Sequence, residues 1–580
     1  MKHTHSFNHN PLLSKRLPEW RARLVLIALL SGSVVLGARA MYLQGVNKEF
    51  LQRKGESRYA RTLELSANRG KVVDRNGDTL ATSTPVKSIA VIPDMAQLGA
   101  GEVAQLGKIL DLNLTDINRK LASGKDYVFL SRAVAPDVAD RVMALKLPGV
   151  QAQDEYRRYY PTGEMAAHLV GFTNVDDRGQ EGVELAFNDM LTGKPGSRRV
   201  IKDRRGQIVE DVETIRRPQD GGNLQLAIDA KIQYLAYSAL KQAVQQHKAK
   251  AGSAVVLDAR TGEVLALVNN PTYNPNNRVK LSGEQLRNRV MTDSFEPGST
   301  MKPFVAAMAL ESNRFRADTM IDTLGGKMTI DGATISDSHS HGMLSVAQVI
   351  QKSSNIGSAR MALAFPAQHM WELYDDLGFG KPLKLGFPGE VGGRLRPWKS
   401  WRPIEQATMA YGHGVSVTLM QLAHGYMAFA RDGELIPLSL TRVDAPPLHG
   451  QRVFSPEVAR QVRAMMESVT QPGGTAPLAA VPGYRAAGKT GTAYKLENGR
   501  YTKKYLASFV GLVPASEPRL IVAVAIDEPS VGGHYGGDVA APVFSQISAG
   551  ALRTLGVRPD APITPQQVAQ QQLGKSREAM

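Results

Sequence analysis

Three short motifs, far apart in the sequence, constrain the fold of this 580-residue chain more than any other feature. They occur in the order Ser299-Thr300-Met301-Lys302, Ser353-Ser354-Asn355 and Lys489-Thr490-Gly491-Thr492. Their side chains are hydroxyls, lysines and an amide, which share protons and hydrogen bonds when a fold brings them together. The sequence therefore predicts a fold in which three distant segments meet at one place.

Ser299 is predicted to lie at the N-terminus of a helix. Residues 296–298, Glu-Pro-Gly, are a turn signal, and the apolar residues 304–310 are typical of a helix. At a helix start, free backbone N–H groups and the positive end of the dipole stabilise a developing negative charge. Lys302 lies one turn further on, where burial can keep a lysine neutral enough to act as the base that a serine needs. This pattern predicts Ser299 as a nucleophile and Lys302 as its base.

Two other segments each match one motif and are predicted to be inert. Ser238 and Lys241 form a second S-x-x-K pair, but residues 231–247 have helical apolar periodicity with no turn signal at their start. Ser238 is therefore expected inside a helix. Ser66 and Asn68 match S-x-N by chance. Neither segment belongs to an ordered triple, which is what separates Ser299 from a chance match.

The Lys-Thr-Gly motif is predicted to lie on the edge strand of a sheet, because a strand-like apolar run follows it at residues 520–526. On such a strand, Gly491 would let a ligand lie against the backbone. The hydroxyls of Thr490 and Thr492 can hold a carboxylate, and Lys489 adds a positive field. The motif therefore predicts a carboxylate-binding strand.

The ordered motifs resemble those of the class B penicillin-binding proteins, in particular the division-type group of Gram-negative bacteria called penicillin-binding protein 3. Several further blocks along the chain resemble the same family. They are Arg69-Gly70, Asp74-Arg75-Asn76-Gly77, Arg158-Tyr159-Tyr160-Pro161-Thr162-Gly163 with His168, Gly171-Phe172-Thr173-Asn174-Val175-Asp176, Gly179-Gln180-Glu181-Gly182-Val183-Glu184, Asp203-Arg204-Arg205-Gly206, Tyr273-Asn274-Pro275-Asn276-Asn277, and Gly412-His413-Gly414 with Thr418 and Gln421. The resemblance covers residues 24–557.

The resemblance implies a peptidoglycan D,D-transpeptidase, a target of β-lactams, that cross-links stem peptides at the division septum through a serine acyl-enzyme; a carboxypeptidase side activity is compatible with it. The implied roles are nucleophile for Ser299, base for Lys302, proton relay for Ser353, orienting group for Asn355 and charge tuning for Lys489. Thr490, Gly491 and Thr492 would bind the substrate, and the backbone N–H groups of Ser299 and Thr492 would hold the oxyanion. The resemblance implies no cofactor and no metal.

An apolar N-terminal stretch predicts a membrane anchor. Residues 24–38 carry no charge, and residues 40–43 extend the stretch past Arg39 to about the 20 residues that a bilayer span needs. Five lysines and arginines against one glutamate precede it, so the positive-inside rule leaves the tail in the cytoplasm. A cleaved signal peptide is the alternative, since residues 38–40 imitate a cleavage site. Retention is favoured because the resembled family keeps this segment, which predicts a single-pass inner-membrane protein with a periplasmic catalytic domain.

The expected fold class is α+β, with an N-terminal transmembrane helix, an elongated α/β pedestal and a β-lactamase-like transpeptidase domain in which helices cover an antiparallel sheet. The expected divisions are a cytoplasmic tail at 1–23, an anchor at 24–43, a non-catalytic pedestal at 46–217, a transpeptidase domain at 224–557 and a disordered tail at 558–580. No segment resembles a glycosyltransferase domain. Glycan polymerisation is therefore not assigned to this chain.

The net charge and the residue composition indicate which kinds of partner this chain can bind. The net charge of +16 favours anionic surfaces, but without a nucleic-acid motif or an aromatic–basic stripe the membrane and wall are preferred over nucleic acid. Two groups could in principle bind zinc, namely Asp337 with His339 and His341, and His3 with His5 and His9; both are interpreted as polar loop or tail residues. The resemblance further implies stem peptides, a SEDS-family glycan polymerase and other division proteins as partners.

Four alternatives remain open at this point: an elongation-type transpeptidase, a β-lactamase, a penicillin sensor, and a division scaffold whose catalysis is dispensable. Anchor and pedestal disfavour the β-lactamase. A tail of about 23 residues is too short for a signalling domain, which disfavours the sensor. A scaffold role can coexist with catalysis, and the elongation type shares every catalytic motif.

Overall fold

The structure is a computed structural model that describes residues 18–46, 60–202, 208–497 and 499–562. Several predicted features lie outside these residues. They are the tail up to residue 17 with its three histidines, the block at 203–206, and the C-terminal residues from 563 onward.

The described helices are numbered here in chain order. They are α1 (Glu19–Met41), α2 (Ala100–Leu110), α3 (Leu114–Leu121), α4 (Pro136–Ala144), α5 (Ala167–Val170), α6 (Gly182–Ala186), α7 (Asn188–Leu191), α8 (Ala230–Gln246), α9 (Gly283–Leu286), α10 (Arg289–Thr292), α11 (Lys302–Glu311), α12 (Val346–Lys352), α13 (Asn355–Leu363), α14 (Ala367–Asp376), α15 (Pro403–Met409), α16 (Leu419–Ala430), α17 (Pro456–Thr470), α18 (Gly536–Val539) and α19 (Ala541–Thr554).

The described strands follow the same numbering. They are β1 (Ala60–Leu65), β2 (Val72–Val73), β3 (Thr79–Val91), β4 (Val128–Val134), β5 (Val150–Tyr159), β6 (Gly196–Lys202), β7 (Ile208–Arg216), β8 (Leu224–Gln225), β9 (Ala251–Asp258), β10 (Val264–Asn270), β11 (Ser294–Phe295), β12 (Met320–Asp322), β13 (Lys327–Ile330), β14 (Ala333–Ser336), β15 (Met343–Ser345), β16 (Val417–Thr418), β17 (Glu434–Leu435), β18 (Gln451–Arg452), β19 (Ala487–Glu497), β20 (Arg500–Val513) and β21 (Leu520–Asp527).

Helix α1 is the apolar segment that the sequence predicts as an anchor. A π-helical turn, Tyr42–Val46, follows it, and the whole span from Glu19 to Gly45 is 27 residues long with none of its apolar window buried. Among the described residues it is the one helix long and apolar enough to cross a bilayer. Its exposed apolar surface fits a single-pass membrane anchor.

The chain divides into two compact units that alternate along the sequence. The first unit contains residues 1–66, 87–153 and 195–219. In it, β1 pairs with β6 and β6 with β7, all antiparallel, and the second half of β3 pairs with β4. Its core is a small cluster around Ile89, Leu106 and Leu130, which are at most 1% exposed.

The second unit contains residues 67–86, 154–194 and 220–580, and it carries all three motifs. Its central sheet is antiparallel in the order β10-β9-β21-β20-β19. Helices α8 and α19 pack against one another and against this sheet, and α16 and α17 also pack against it. Strand β9, which pairs with a neighbour on each side, is buried at every position, and its sequence accordingly shows no alternation of apolar and polar residues. The motif strand β19 lies at the edge of the sheet.

Some of the sequence blocks that resemble the family's non-catalytic region, at residues 67–86 and 154–194, belong to this second unit. Arg69 and Arg158 donate from Nε to the two oxygens of Glu184, at 2.7 and 2.6 Å, and all three side chains are buried. A buried carboxylate needs such partners, and breaking one leaves an uncompensated charge. The family blocks at 69, 158 and 184 therefore hold one structural ion cluster.

The predicted α+β class is confirmed: an apolar N-terminal helix, a region of mixed strands and helices, and an antiparallel sheet covered by helices are all present. The predicted contiguous division into 46–217 and 224–557 stays a prediction. The compact units seen in the structure interleave in sequence. Segments 67–86 and 154–194 share a core with the catalytic sheet, through residues such as Val72, Leu80 and Leu169.

Candidate active site

Ser299 lies in a 3₁₀ turn, Gly298–Met301, that runs directly into helix α11. The backbone N–H of Lys302 bonds to the Ser299 carbonyl, so the two side chains are one tight turn apart. Gly298 has a positive φ of 61°, which favours glycine. Gly412 packs against Gly298, and a Cβ on Gly412 would lie only 2.2 Å from the Gly298 carbonyl oxygen. These two glycines set the turn that leaves Ser299 half-buried at the helix start, as the sequence predicts.

Lys302 is fully buried, and its Nζ lies among oxygens of the second motif. It donates to the Ser353 carbonyl at 2.5 Å, to Ser353 Oγ at 3.1 Å and to Asn355 Oδ1 at 2.7 Å. Burial lowers the pKa of Lys302 well below its ordinary value, and the positive charge of Lys489 lowers it further, while Asp337 opposes the shift. Lys302 can thus lose its proton far more easily than a lysine in water.

Ser353 occupies a break between two helices. It ends α12 in a left-handed conformation with φ of 60°, and Ser354 caps α13 by accepting from the Gly357 N–H at 2.9 Å. This kink places Ser353 Oγ between two lysines, 3.1 Å from Lys302 Nζ and 2.9 Å from Lys489 Nζ. A hydroxyl in this position can pass a proton between neighbouring groups.

Asp337 organises the second motif. Its carboxylate accepts from Ser354 Oγ at 2.6 Å and from the backbone N–H groups of Asn355 and Ile356 at 2.5 and 3.0 Å. Asn355 is held from its other end, where Nδ2 donates to the Ser336 carbonyl at 2.8 Å. A negative charge at a helix start is stabilising, and here it also positions the amide that faces Lys302.

Sequence reasoning considered Asp337 only as a zinc ligand beside His339 and His341. The structure instead uses its carboxylate as a helix cap, and the part of the chain described contains no group of three or more His, Asp or Glu side chains arranged to hold a metal. A carboxylate that caps a helix by binding groups 17 to 19 residues downstream leaves no local pattern, so no sequence signal identified it.

Lys489 is also fully buried, on the edge strand β19. Its Nζ donates to Ser353 Oγ at 2.9 Å and to Thr490 Oγ1 at 3.2 Å. Burial lowers the pKa of Lys489 to about 7. Two buried lysines with lowered pKa values therefore flank one serine hydroxyl, which is an arrangement suited to moving protons near neutral pH.

Gly491 is closely packed where a side chain would begin, and its predicted role in substrate binding stays a prediction. A Cβ at this position would lie 2.3 Å from Ser508 Oγ, 2.9 Å from the Pro297 carbonyl oxygen and 3.0 Å from Thr300 Cγ2. The missing side chain therefore makes room for the turn that carries Ser299. The glycine of this motif brings the strand and the Ser299 turn into contact.

The two motif threonines already have protein partners. Thr490 Oγ1 lies 3.1 Å from Thr475 Oγ1, and Thr492 Oγ1 accepts from the Gly536 N–H at 3.1 Å. Sequence reasoning missed Thr475 and Gly536, because each becomes a neighbour of β19 only through the tertiary fold. All eight predicted site residues nevertheless lie on the three segments that meet here, and their individual roles stay a prediction.

Two protein families match the chain. The penicillin binding protein transpeptidase domain matches residues 252–549, and the penicillin-binding protein dimerisation domain matches residues 64–226. The first match spans more than half of the chain and includes every residue of the site.

The chain belongs to the class B penicillin-binding proteins.

Named relatives and a solved structure agree. This penicillin-binding protein is 44% identical to the probable peptidoglycan D,D-transpeptidase PenA of Neisseria gonorrhoeae, over 94% of each chain. It is 43% identical to the peptidoglycan D,D-transpeptidase FtsI of Escherichia coli strain K12, over 93% of each chain. The apo transpeptidase domain of penicillin-binding protein 3 from Burkholderia pseudomallei is 53% identical, with a TM-score of 0.54, over 58% of this chain and 98% of that one.

The second S-x-x-K pair of this penicillin-binding protein lies apart from the three motifs. Ser238 sits within helix α8, and Lys241 Nζ donates to the Tyr237 hydroxyl at 2.9 Å and to Glu164 at 3.5 Å. A hydrogen bond from Lys241 to Tyr237 raises the pKa of this lysine, which is the opposite of the shift at Lys302. Ser238 thus lacks the buried base that a nucleophile needs, and the pair provides a matched internal control.

Proposed function

We propose that this protein is the division-type peptidoglycan D,D-transpeptidase of its cell, with Ser299 as the acylated nucleophile. One observation carries the assignment of roles: a half-buried serine at a helix start lies one turn from Lys302, a fully buried lysine whose pKa is strongly lowered. The activity itself is that of the relatives named FtsI and PenA, which align over more than nine-tenths of the chain. As a member of this family the protein acts on peptidoglycan and is acylated by β-lactams.

Acylation is the first step of the proposed mechanism. Lys302 Nζ takes the hydroxyl proton of Ser299, and Ser299 Oγ forms a bond to the carbonyl carbon between the two terminal D-alanines of a stem pentapeptide. The resulting oxyanion accepts hydrogen bonds from the backbone N–H groups of Ser299 and Thr492. Thr490 and Thr492 turn their hydroxyls toward the terminal carboxylate of the substrate.

Breakdown of the tetrahedral intermediate follows. The C–N bond breaks, and the departing D-alanine amine receives the proton held on Lys302 by way of Ser353 Oγ, which lies between Lys302 and Lys489. The ammonium form of Lys489 favours transfer out of this hydroxyl, and Asn355 holds Lys302 in place. A diaminopimelate amine of a second stem then attacks the Ser299 ester, which releases Ser299 and forms the cross-link.

The localisation follows from helix α1. We place the N-terminal tail in the cytoplasm and the catalytic unit in the periplasm, because lysines and arginines precede the helix and the substrate lies outside the inner membrane. A SEDS-family glycan polymerase would supply the uncross-linked strands, since no part of this chain resembles a polymerase. Other division proteins would recruit the pair to the septum.

The full-length protein in detergent is expected to cross-link glycan strands that carry pentapeptide stems and were polymerised beforehand. Mass spectrometry of the digested product should show peptide dimers and one released D-alanine for each dimer. Released D-alanine without dimers would indicate a carboxypeptidase. If a folded sample forms neither product and no covalent penicillin adduct, the enzyme interpretation is wrong and the division scaffold is the remaining interpretation.

A Lys489→Met variant is expected to shift the acid limb of the acylation rate to higher pH. Lys302 acts as a base only when it is unprotonated, so the rate rises as pH passes upward through the lowered pKa of Lys302. The charge of Lys489 is one cause of that lowering. Removing the charge raises the pKa of Lys302, and the midpoint of the limb moves with it.

Stopped-flow acylation by a fluorescent penicillin across the pH range of stable folding measures this midpoint separately from the overall rate. Lys241→Met, at the inert S-x-x-K pair, is the matched control and should leave the midpoint unchanged. A midpoint that stays fixed or moves to lower pH in Lys489→Met would contradict the coupling of the two lysines.

A further inference from the structure

A cavity of about 740 Å³ lies beside the nucleophile turn and takes no part in the acylation described above. Its walls come from the start of β9, from α10 and the residues that lead to Ser299, from residues 394–396 and 414–419, and from the half of β19 beyond the Lys-Thr-Gly motif. This volume is within the range of small-molecule sites. All of its lining residues belong to the second compact unit.

The cavity adjoins the turn that carries Ser299 and the strand that carries the Lys-Thr-Gly motif. Glu296, which lines it, is three residues before Ser299 and accepts from the Gly414 N–H at 2.8 Å and from the Tyr501 hydroxyl at 3.0 Å. Ala493, also a lining residue, directly follows Thr492, and a Cβ built on Gly298 would lie 3.6 Å from its Cβ. A ligand in the cavity would therefore lie beside the turn that carries Ser299.

The charged lining residues are almost all paired. Arg289 binds Glu284 and Asp293, Arg287 binds Asp293 at 2.6 Å, Arg396 binds Glu405 at 2.9 Å, and Lys495 binds Asp527 at 2.8 Å. Paired groups have little capacity left for a ligand.

Arg394 is the exception among these cations. Its side chain is exposed, and within the described ranges no hydrogen-bond or ion-pair partner is found for its guanidinium. Its backbone is nevertheless held firmly, since its N–H donates to the Ser416 carbonyl at 2.8 Å and its own carbonyl accepts from the Ser416 N–H at 3.0 Å. A fixed backbone with a free planar fork of N–H donors suits a carboxylate ligand.

We infer that this cavity is the subsite for the acceptor stem peptide, with Arg394 binding a carboxylate of that peptide. The inference rests on the proposed function, because only a transpeptidase needs a second peptide beside its acyl-enzyme. A diaminopimelate-containing stem carries carboxylates and one free amine. Arg394 holds a carboxylate, while the carboxylate of Glu296 attracts the ammonium group at the end of the cavity nearest Ser299 in sequence. A cation that can bind a carboxylate and a separate carboxylate, Arg394 and Glu296, fit a zwitterionic peptide better than a lipid or a nucleotide.

Binding of the free tripeptide L-alanyl-γ-D-glutamyl-diaminopimelate to the penicillin-acylated full-length protein tests this inference. The tripeptide lacks D-Ala-D-Ala, so it cannot acylate Ser299, and the penicilloyl group occupies the donor side. Saturable binding is expected, and Arg394→Gln should weaken it by about tenfold or more through loss of a charge-assisted pair. Arg394→Lys should restore part of it, and Arg553→Gln, an exposed arginine on α19, should have no effect.

Intact-mass spectrometry first checks that penicillin acylates the protein. If the proposed function is wrong, no acylation is seen; if only the acceptor subsite is wrong, acylation is seen but tripeptide binding is not. A second readout is the partition of the acyl-enzyme, formed from a thioester donor, between transfer to the tripeptide and hydrolysis. Arg394→Gln should lower transfer about tenfold and leave penicillin acylation unchanged. Absence of tripeptide binding in the unmutated protein, or equal binding and transfer in Arg394→Gln, would overturn the inference.

Discussion

Ser299→Ala is expected to abolish the covalent penicillin adduct, with a loss of at least about 10⁴-fold in acylation rate, since loss of a serine nucleophile removes the whole covalent route. Intact-mass spectrometry of the full-length protein over time provides the measurement. The unmutated protein should gain one drug mass and keep it. The variant should gain none and should unfold at a similar temperature, because Ser299 is half-buried and no partner for its hydroxyl is found among the described residues.

Ser238→Ala is the matched control, because Ser238 also precedes a lysine by three residues but lies within helix α8 beside a lysine whose pKa is raised. It should acylate at the unmutated rate. An adduct that persists in Ser299→Ala would place the nucleophile elsewhere and defeat the proposal. A short-lived adduct with rapid drug turnover in the unmutated protein would mean that the acyl-enzyme is hydrolysed as in a β-lactamase.

Lys302→Met is expected to slow acylation by about 10²- to 10⁴-fold, the range that a positioned general base contributes. The same change should leave the melting temperature unchanged or raise it. Lys302 is fully buried. Burying its amine lowers the stability of the folded state, whereas burying an apolar side chain of similar length does not. Loss of activity without loss of stability would separate a catalytic role from a structural one.

Stopped-flow acylation and a thermal melt on the same samples measure both effects. Lys241→Met again serves as the control and should change neither the rate nor the melting temperature appreciably, because its ammonium is partly exposed. A Lys302→Met protein that acylates at the unmutated rate would show that another group takes the Ser299 proton. A large fall in melting temperature would instead assign Lys302 a structural role.

The helix start at Ser299 illustrates how far local sequence reasoning reaches. A turn signal followed by an apolar run predicted a helix that begins at Ser299, and the structure places a 3₁₀ turn and α11 there. The edge position of β19 was likewise expected from its motif and its neighbours. Both features depend on residues close together in the chain, so they can be predicted from the sequence alone.

Contacts between segments that are far apart in the chain could not be predicted from the sequence. Asp337 was interpreted as a loop residue and a weak zinc candidate, yet it caps α13 and positions Asn355. The close approach of Gly491 to the turn that carries Ser299 was likewise not predicted. In each case the deciding partner comes from another segment, and nothing in the local sequence specifies which segment that is.

The sequence by itself determined the three motif segments, the placing of Ser299 at a helix start with Lys302 one turn away, the membrane-length helix and the family. These depend on spacing, helix signals and apolar periodicity, which act over a few residues. Only the tertiary structure decided that Lys302 and Lys489 are both fully buried on either side of Ser353 Oγ, and that segments 67–86 and 154–194 join the catalytic core. Burial and the approach of like charges lower a lysine pKa, and both are set by packing between distant segments, not by the residues next to the lysine.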